Sequence, residues 1–367
     1  MCVALLGRRD EPTDAVEEYC RYLGAALRPH GFALELARVP WHGRGWSAAL
    51  RELRGQSASW RGALVLIQYT ALAWSSHGFP FRFPSVLRIL RSSGARVGVV
   101  FHDVEPYAGR RLVDRLRRSV QLRVMREALR LADVGVLTVP AEKLSWVPPG
   151  CRSAVFIPVG ANLPVPEVAA VPRPRSAGHI STVAVFGITG GEAGRRESEV
   201  ITEAVRLAAI CIPKLRLVAF GRHADDSEYF LWEGLRDVAV DVQVSGVLPS
   251  EEVARRLSSS DVLLFVRGPI SSRRSSAIAG IACGLPVVAY GGRETAAPIT
   301  EAGVVLVSPE EKDGLGEALV RVLSEREYRA SLAARSRRAY EQYFSWKAIA
   351  AQYAEAIRGK RLGVGKG

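Results

Sequence analysis

The residues best suited to chemistry stand between Asp261 and Val288. Asp261-Val-Leu-Leu-Phe-Val266 reads as a strand and Arg267-Gly-Pro-Ile-Ser-Ser-Arg-Arg-Ser-Ser276 as a loop. Ala277 to Gly284 reads as a helix with a tight turn, and Pro286-Val-Val288 as the next strand. This order delivers Ser271, Ser272, Arg273, Arg274, Ser275 and Ser276 to one helix N-terminus. Free backbone N–H groups at a helix start hold an anion, and a diphosphate fits this one best. The competing reading is a plain helix capped by Ser275 or Ser276. Against it, two guanidinium groups at a helix N-terminus oppose the macrodipole at a cost of roughly a few tenths of a kcal/mol. A bound dianion removes that conflict. At least one of the two arginines is expected to do no more than face water.

Other strand ends carry reactive residue types. His102 and Asp103 close the strand Arg96-Val-Gly-Val-Val-Phe101 and form the candidate catalytic pair. A His there either meets a sugar hydroxyl or developing charge, or is a buried structural group; spacing alone does not separate the two. Gly187-Ile-Thr-Gly-Gly191 follows another strand and runs on to Arg195-Arg196. Thr189, Gly190, Gly191 and Arg196 are therefore phosphate-binding candidates, and Arg222 in Gly221-Arg222-His223 is a weaker one. The spacing is not GxGxxG, so a dinucleotide fingerprint is absent.

The elements that must position these residues alternate along the whole chain. Candidate strands are 2–6, 33–39, 63–67, 96–101, 134–138 and 154–157, then 181–187, 215–220, 240–245, 261–266, 286–290 and 304–307. Helical patterns fall near 13–29, 46–54, 82–92 and 110–131, then 197–210, 250–258, 275–283 and 312–323. Apolar strands alternating with amphipathic helices imply α/β architecture with parallel sheets covered on both faces. Two such series imply two Rossmann-like domains whose sheets face a central cleft, with ligands at the carboxyl ends of the strands. The expected division is 1–160, a Pro-rich linker 161–178, a second domain 179–340 and a helix in 341–367 that crosses back to the first domain. Tyr340, Tyr343, Phe344 and Trp346 are the anchors of that tail.

Composition narrows the function classes. The chain has 367 residues and a formal net charge of +13, with only six lysines among its 50 basic residues. That surplus fits phosphorylated small molecules, an anionic membrane or nucleic acid, or simply a solvated basic surface. No zinc-finger, RRM or helix-turn-helix pattern supports nucleic acid, so that partner is not expected. Five scattered cysteines form neither a metal site nor a disulfide framework and fit a reducing cytoplasm. No apolar stretch is long enough to span a bilayer. Residues 109–131 carry arginines at 110, 111, 115, 117, 118, 123, 126 and 130, with Leu112, Leu116 and Val120 on one face. This is an ordinary surface helix or a peripheral contact with an anionic membrane. Tyr69 to Pro84, with Trp74, His77, Phe79, Phe81 and Phe83, is an aromatic acceptor wall or a packed loop.

The second half resembles the donor domain of GT-B glycosyltransferases, family 4 in particular. The resemblance rests on Val183-Ala-Val-Phe-Gly187, Leu215-Arg-Leu-Val-Ala-Phe-Gly221, Val244-Ser-Gly-Val-Leu-Pro-Ser-Glu-Glu-Val253, Asp261-Val-Leu-Leu-Phe265 and Ala282-Cys-Gly-Leu-Pro-Val-Val288. Gly291-Gly292 and Ala302-Gly-Val-Val-Leu-Val continue it, and Val99-Val-Phe-His-Asp103 carries it loosely into the first half. The resemblance implies transfer of a hexose-type sugar from a nucleotide-diphosphate sugar, with retention, without a metal or other cofactor. The acceptor is a glycan, a lipid-linked molecule or a small molecule. The alternatives are a binding-only member of the fold and a nucleotide-sugar epimerase. The family's paired glutamates fall on Ser271 and Ala279, and the chain matches a subset with a Ser-x-Arg-Arg-x-Ser loop there. The family's phosphate-binding lysine falls on Arg196, and the arginine after the first glycine is replaced by Ile188.

Overall fold

The computed structural model describes residues 2–11, 13–109, 111–165 and 178–359. The chain divides into two compact units, Met1–Pro158 with Trp346–Gly367, and Val159–Ser345. In the first unit β1 (Cys2–Leu6), β2 (Leu34–Arg38), β3 (Leu64–Tyr69), β4 (Arg96–Phe101), β5 (Val134–Leu137) and β6 (Ala154–Phe156) form a parallel sheet, ordered β2-β1-β3-β4-β5-β6. Every residue of β1, β3 and β5 is buried. Such uninterrupted apolar runs suit a sheet covered on both faces. The covering helices are α1 (Ala15–Leu27), α2 (Trp41–Arg44), α3 (Trp46–Ser57), α4 (Phe83–Ser92) and α5 (Leu112–Leu131). Asp14 starts α1 by accepting from the N–H groups of Val16 and Glu17 at 3.2 and 3.1 Å.

In the second unit the strands are β7 (Ser181–Phe186), β8 (Leu215–Phe220), β9 (Val240–Ser245), β10 (Val262–Phe265), β11 (Val287–Tyr290) and β12 (Val304–Val307). Their order is β12-β11-β10-β7-β8-β9. The helices are α6 (Gly191–Cys211), α7 (Glu228–Leu235), α8 (Ser250–Ser259), α9 (Ser275–Ala282), α10 (Gly314–Ser324) and α11 (Arg326–Ala339). The chain builds outward from β7 through β8 and β9, then returns to lay β10 on the other side of β7. That reversal is a topological switch point, where open α/β sheets bind ligands. β7 and β8 pair from Ser181↔Leu215 to Phe186↔Phe220, whereas β7 and β10 pair only at Val262↔Val183 and Leu263↔Ala184. At the amino end Asp261 ties the two together, accepting from the Thr182 N–H at 2.9 Å and hydrogen-bonding His179. Their ladder ends at Leu263↔Ala184, short of both carboxyl ends.

Several boundaries differ from the sequence reading. α6 begins at Gly191 rather than near 197, so Arg195 and Arg196 lie inside the helix. α7 was not expected, because Glu-Tyr-Phe-Leu-Trp shows no amphipathic period and leaves Tyr229 and Trp232 exposed. Val159, Ala161 and Leu163 are buried, and the Val159 N–H donates to the Ser272 carbonyl at 3.0 Å. The start of the expected linker thus belongs to the second unit. Residues 166–177, with Pro166, Pro172 and Pro174, lie outside the described residues, as does Arg110. The passage back to the first unit falls between Ser345 and Trp346. There α11 gives way to a π-turn, Tyr340–Phe344, which buries Phe344, and then to α12 (Trp346–Ile357).

α12 packs on α1. The buried Tyr353 and Tyr19 hydroxyls meet at 2.8 Å, and Trp346 stacks on Tyr22 with ring centroids 5.6 Å apart. Arg96, at the start of β4, donates to the Ile357 carbonyl at 3.1 Å.

Candidate anion-binding site

Three loops converge at the carboxyl ends of β8, β7 and β10. Gly187 leaves β7 with φ +76, a conformation that favours glycine, and a Cβ there would lie 3.3 Å from Nη1 of Arg267. The Ile188 N–H donates to the Arg222 carbonyl at 3.0 Å, which joins the β7 and β8 loops. The loop after β10 is stapled to the exit of β11. Ile270 donates its N–H to the Tyr290 carbonyl at 2.9 Å, and the Thr295 hydroxyl donates to the Ile270 carbonyl at 2.6 Å.

Within that loop the two adjacent arginines do different things. Arg273 donates from Nε and Nη2 to Glu294 at 2.7 and 3.1 Å, a bidentate pair, and Ser271 Oγ donates to the same carboxylate at 3.2 Å. Burial alone would raise the Glu294 carboxyl, but the Arg273 bonds and the Arg274 charge hold it below its ordinary value. Ser271 and Ser272 are fully buried and act as supports of the loop. Arg274 is the N-cap of α9, with no side-chain cap hydrogen bond. This removes the competing reading of a serine cap: Ser275 is the first helical residue and is exposed, with the partly buried Ser276 after it. α9 sits close on β10, because a Cβ on Gly280 would meet Leu263 Cδ2 at 2.5 Å. Its uncapped N–H groups therefore stay at the strand end.

The expectation that one arginine of the pair only faces water is also corrected: Arg273 turns to Glu294 and Arg274 turns inward. Nε of Arg274 and Nε of Arg267 are both buried without a hydrogen-bond partner. Burial pulls the Arg274 guanidinium down to about 10, with the Arg273 and Arg267 charges adding to it and Glu294 and Glu197 opposing. Burial lowers Arg267 as well, with Glu197 opposing and Arg222 contributing. Mutually repelling cations beside an uncapped helix start make an unsatisfied arrangement, costly until a counter-anion arrives. Phosphoryl groups, which are anionic and accept guanidinium and backbone N–H hydrogen bonds, suit such an arrangement.

The remaining candidates divide. Thr189 is engaged internally, its N–H and hydroxyl both donating to Glu197 at 2.7 and 2.6 Å. Gly190 is the N-cap of α6 and Gly191 its exposed first residue. Arg222 faces the Arg267 charge. Arg196 is not brought in: it is exposed and pairs with Glu192 at 3.7 Å along α6. Arg267, Glu197 and Glu294 are the residues that sequence reasoning passed over. Arg267 carried a usable signal, a cation just past a strand, the same signal that singled out His102.

In the first unit His102 is held rather than free. Its Nε2 and Gln68 Oε1 are 2.9 Å apart, and the Tyr19 ring stands edge-on with centroids 5.0 Å apart. Burial pulls the imidazole down to about 4, with Asp14 opposing, so the ring is neutral at neutral pH. Asp103 accepts from the Ala71 N–H at 2.8 Å and lines a cavity of about 220 Å³ together with Arg8, Asp10, Gln68 and Thr70. The aromatic segment splits: Trp74 and Phe83 are core, whereas Phe81 is 62% exposed.

No protein-family model matches this sequence, and no characterised protein matches it by sequence. Solved structures do match by fold. Sucrose-phosphate synthase of Thermosynechococcus elongatus is 19% identical, with a TM-score of 0.70 over 98% of both chains. HepE of Anabaena in complex with UDP and glucose is 15% identical, with a TM-score of 0.66 over 98% of this chain and 100% of that one. WaaG, a glycosyltransferase involved in lipopolysaccharide biosynthesis, is 14% identical, with a TM-score of 0.56 over 98% and 100%. The chain has the GT-B fold of these proteins, two Rossmann-like domains, each on a six-stranded parallel sheet.

Proposed function

We propose that this chain is a glycosyltransferase that moves a hexose-type sugar from a nucleotide-diphosphate sugar to an acceptor, with retention and without a metal. The observation that carries the reading is the pair of buried, unpartnered Nε atoms of Arg267 and Arg274 beside the uncapped start of α9. In this reading the donor diphosphate seats there, with Arg222 nearby and Arg273 fixing the loop through Glu294. As the bond from the sugar's anomeric carbon to the diphosphate oxygen breaks, negative charge grows on the leaving group. Preorganised cations and N–H dipoles stabilise that charge, usually the largest catalytic contribution, and here they fill the place of a divalent ion. The acceptor oxygen forms the new bond to the anomeric carbon and gives its proton to the departing diphosphate oxygen. The GT-B fold seen with UDP and glucose in HepE supports the donor class. In the first unit we assign Asp103 and its cavity to the acceptor hydroxyl, and neutral His102 to a hydrogen-bonding role rather than proton transfer.

Purified protein incubated with a panel of nucleotide-diphosphate sugars, with and without acceptors, tests this. Expected are nucleotide release and a glycosylated product, and a loss of kcat/KM of at least about 10²-fold in Arg274→Ala and Arg267→Ala. Both variants should fold, because each removes a guanidinium whose buried Nε has no hydrogen-bond partner. Isomerised donor without acceptor identifies an epimerase, and nucleotide binding without turnover a binding protein. Unchanged turnover in both variants refutes the site.

A further inference from the structure

We propose that the start of α5, the Phe79–Phe81 turn and Tyr107 together form a docking surface for an anionic lipid bilayer. Leu112, Val113 and Leu116, on the first turns of α5, are 81%, 47% and 59% exposed, and Tyr107 and Phe81 are 52% and 62% exposed. Arg117 ties Tyr107 and the Phe79–Phe81 turn to the start of α5. Its guanidinium lies over the Tyr107 ring at 4.7 Å and the Phe79 ring at 5.4 Å, and its Nε donates to the His77 carbonyl at 3.0 Å. Asp114 accepts from the same guanidinium at 2.9 Å, and Phe79 stacks on Phe81 with centroids 5.9 Å apart. Exposed apolar side chains gathered on adjoining, braced elements mark an interaction site, unlike scattered surface leucines.

The charge around the patch selects the occupant. Arg82, Arg111, Arg115 and Arg118 are exposed, and among the described residues none has a carboxylate within ion-pair distance. A bilayer with anionic headgroups supplies hydrocarbon for the apolar tips and a plane of phosphates for the arginines. A nucleic acid would leave the leucines uncovered. A second copy across a two-fold axis would set arginine against arginine. The far half of α5 offers no such surface, since Val124, Met125, Ala128 and Leu129 are buried in the core. The lipid surface is thus the start of the helix, not the whole of 109–131. It is independent of the phosphate site, so its failure and the failure of the proposed activity are separable.

Co-sedimentation of the full chain with vesicles of phosphatidylcholine, with and without phosphatidylglycerol, tests the proposal. Binding is expected only with phosphatidylglycerol and should weaken with salt. Leu112→Glu with Leu116→Glu, and separately Arg115→Glu with Arg118→Glu, should each lower partitioning at least about tenfold. Arg126→Glu with Arg130→Glu, the same charge change on the far half of α5, should change it little. Melting followed by circular dichroism verifies that the variants fold. The proposal is overturned by no binding to either vesicle, by equal binding to both, or by an equal loss in the Arg126 and Arg130 variant. It is also overturned if the leucine variant breaks an oligomer in light scattering and leaves vesicle binding intact.

Discussion

Arg273 and Arg274 are adjacent and chemically identical, yet a carboxylate twenty-one residues downstream separates their roles. Glu294 neutralises one and leaves the other with a buried Nε that has no hydrogen-bond partner. The anion affinity proposed for this loop therefore rests on the geometry of one pair, which the local sequence does not contain. His102 shows the opposite relation: its placement at a strand end was legible, but its protonation was not. The folded ring has its pKa near 4, against an ordinary 6.5. Between those values the unfolded chain binds a proton that the folded chain does not, so stability rises with pH from about 4 to 6.5 and is flat above. The loss at the acidic end is on the order of 3 kcal/mol. Urea unfolding across this range should show that loss in the native protein and a much smaller one in His102→Gln, which replaces the ring by an uncharged side chain. An equal pH slope in the two would contradict the buried, neutral ring.

At the scale of elements, α12 completes the first unit although it is encoded after the second. The aromatic anchors of the tail were visible in the sequence, but which surface they cover was not, because Tyr19 and Tyr353 are 334 positions apart. Tyr353 is 1% exposed and seals α1. Tyr353→Ala should cost the first unit about 3–5 kcal/mol, a large aromatic-to-alanine cavity. Tyr353→Phe, which loses only the hydroxyl contact with Tyr19, should cost about 1 kcal/mol. Equal and small effects in a denaturant titration would mean that α12 contributes little. The strands were read nearly to the residue, since short β-branched runs between breakers have few alternatives. The start of α6 was misplaced because two glycines and two arginines resemble a loop until the helix closes over Gly191.

For the whole molecule, two cores on two sheets make two folding units, and the proposed donor belongs to the second alone. A ligand stabilises only what it binds, by about 2.7 kcal/mol at a hundred times its Kd. Saturating UDP should therefore delay loss of structure around a second-unit probe such as Trp232, more than around α12. Proteolysis or hydrogen exchange with mass spectrometry would locate the protected segments. Protection confined to the first unit would contradict the assignment. The net charge of +13 also acts at this scale, favouring encounter with any polyanion. It does not choose among them; in the proposed docking surface the exposed apolar side chains at the start of α5 make that choice.

The sequence by itself determined the alternation of strands and helices, hence two parallel α/β domains, and the strand ends at which chemistry must lie. These follow from local patterning and from the rule that parallel sheets bind ligands at their carboxyl ends. Only the tertiary structure decided which residues at those ends are available. Glu294 removes Arg273 from service, Glu197 occupies Thr189, and α6 carries Arg196 outward, while the Nε atoms of Arg267 and Arg274 are buried without hydrogen-bond partners. Each of these outcomes depends on contacts between segments separated in the chain, by eight residues for Thr189 and Glu197 and by more for the others, or on a helix register that only the folded chain sets. A single sequence read along its length does not record them.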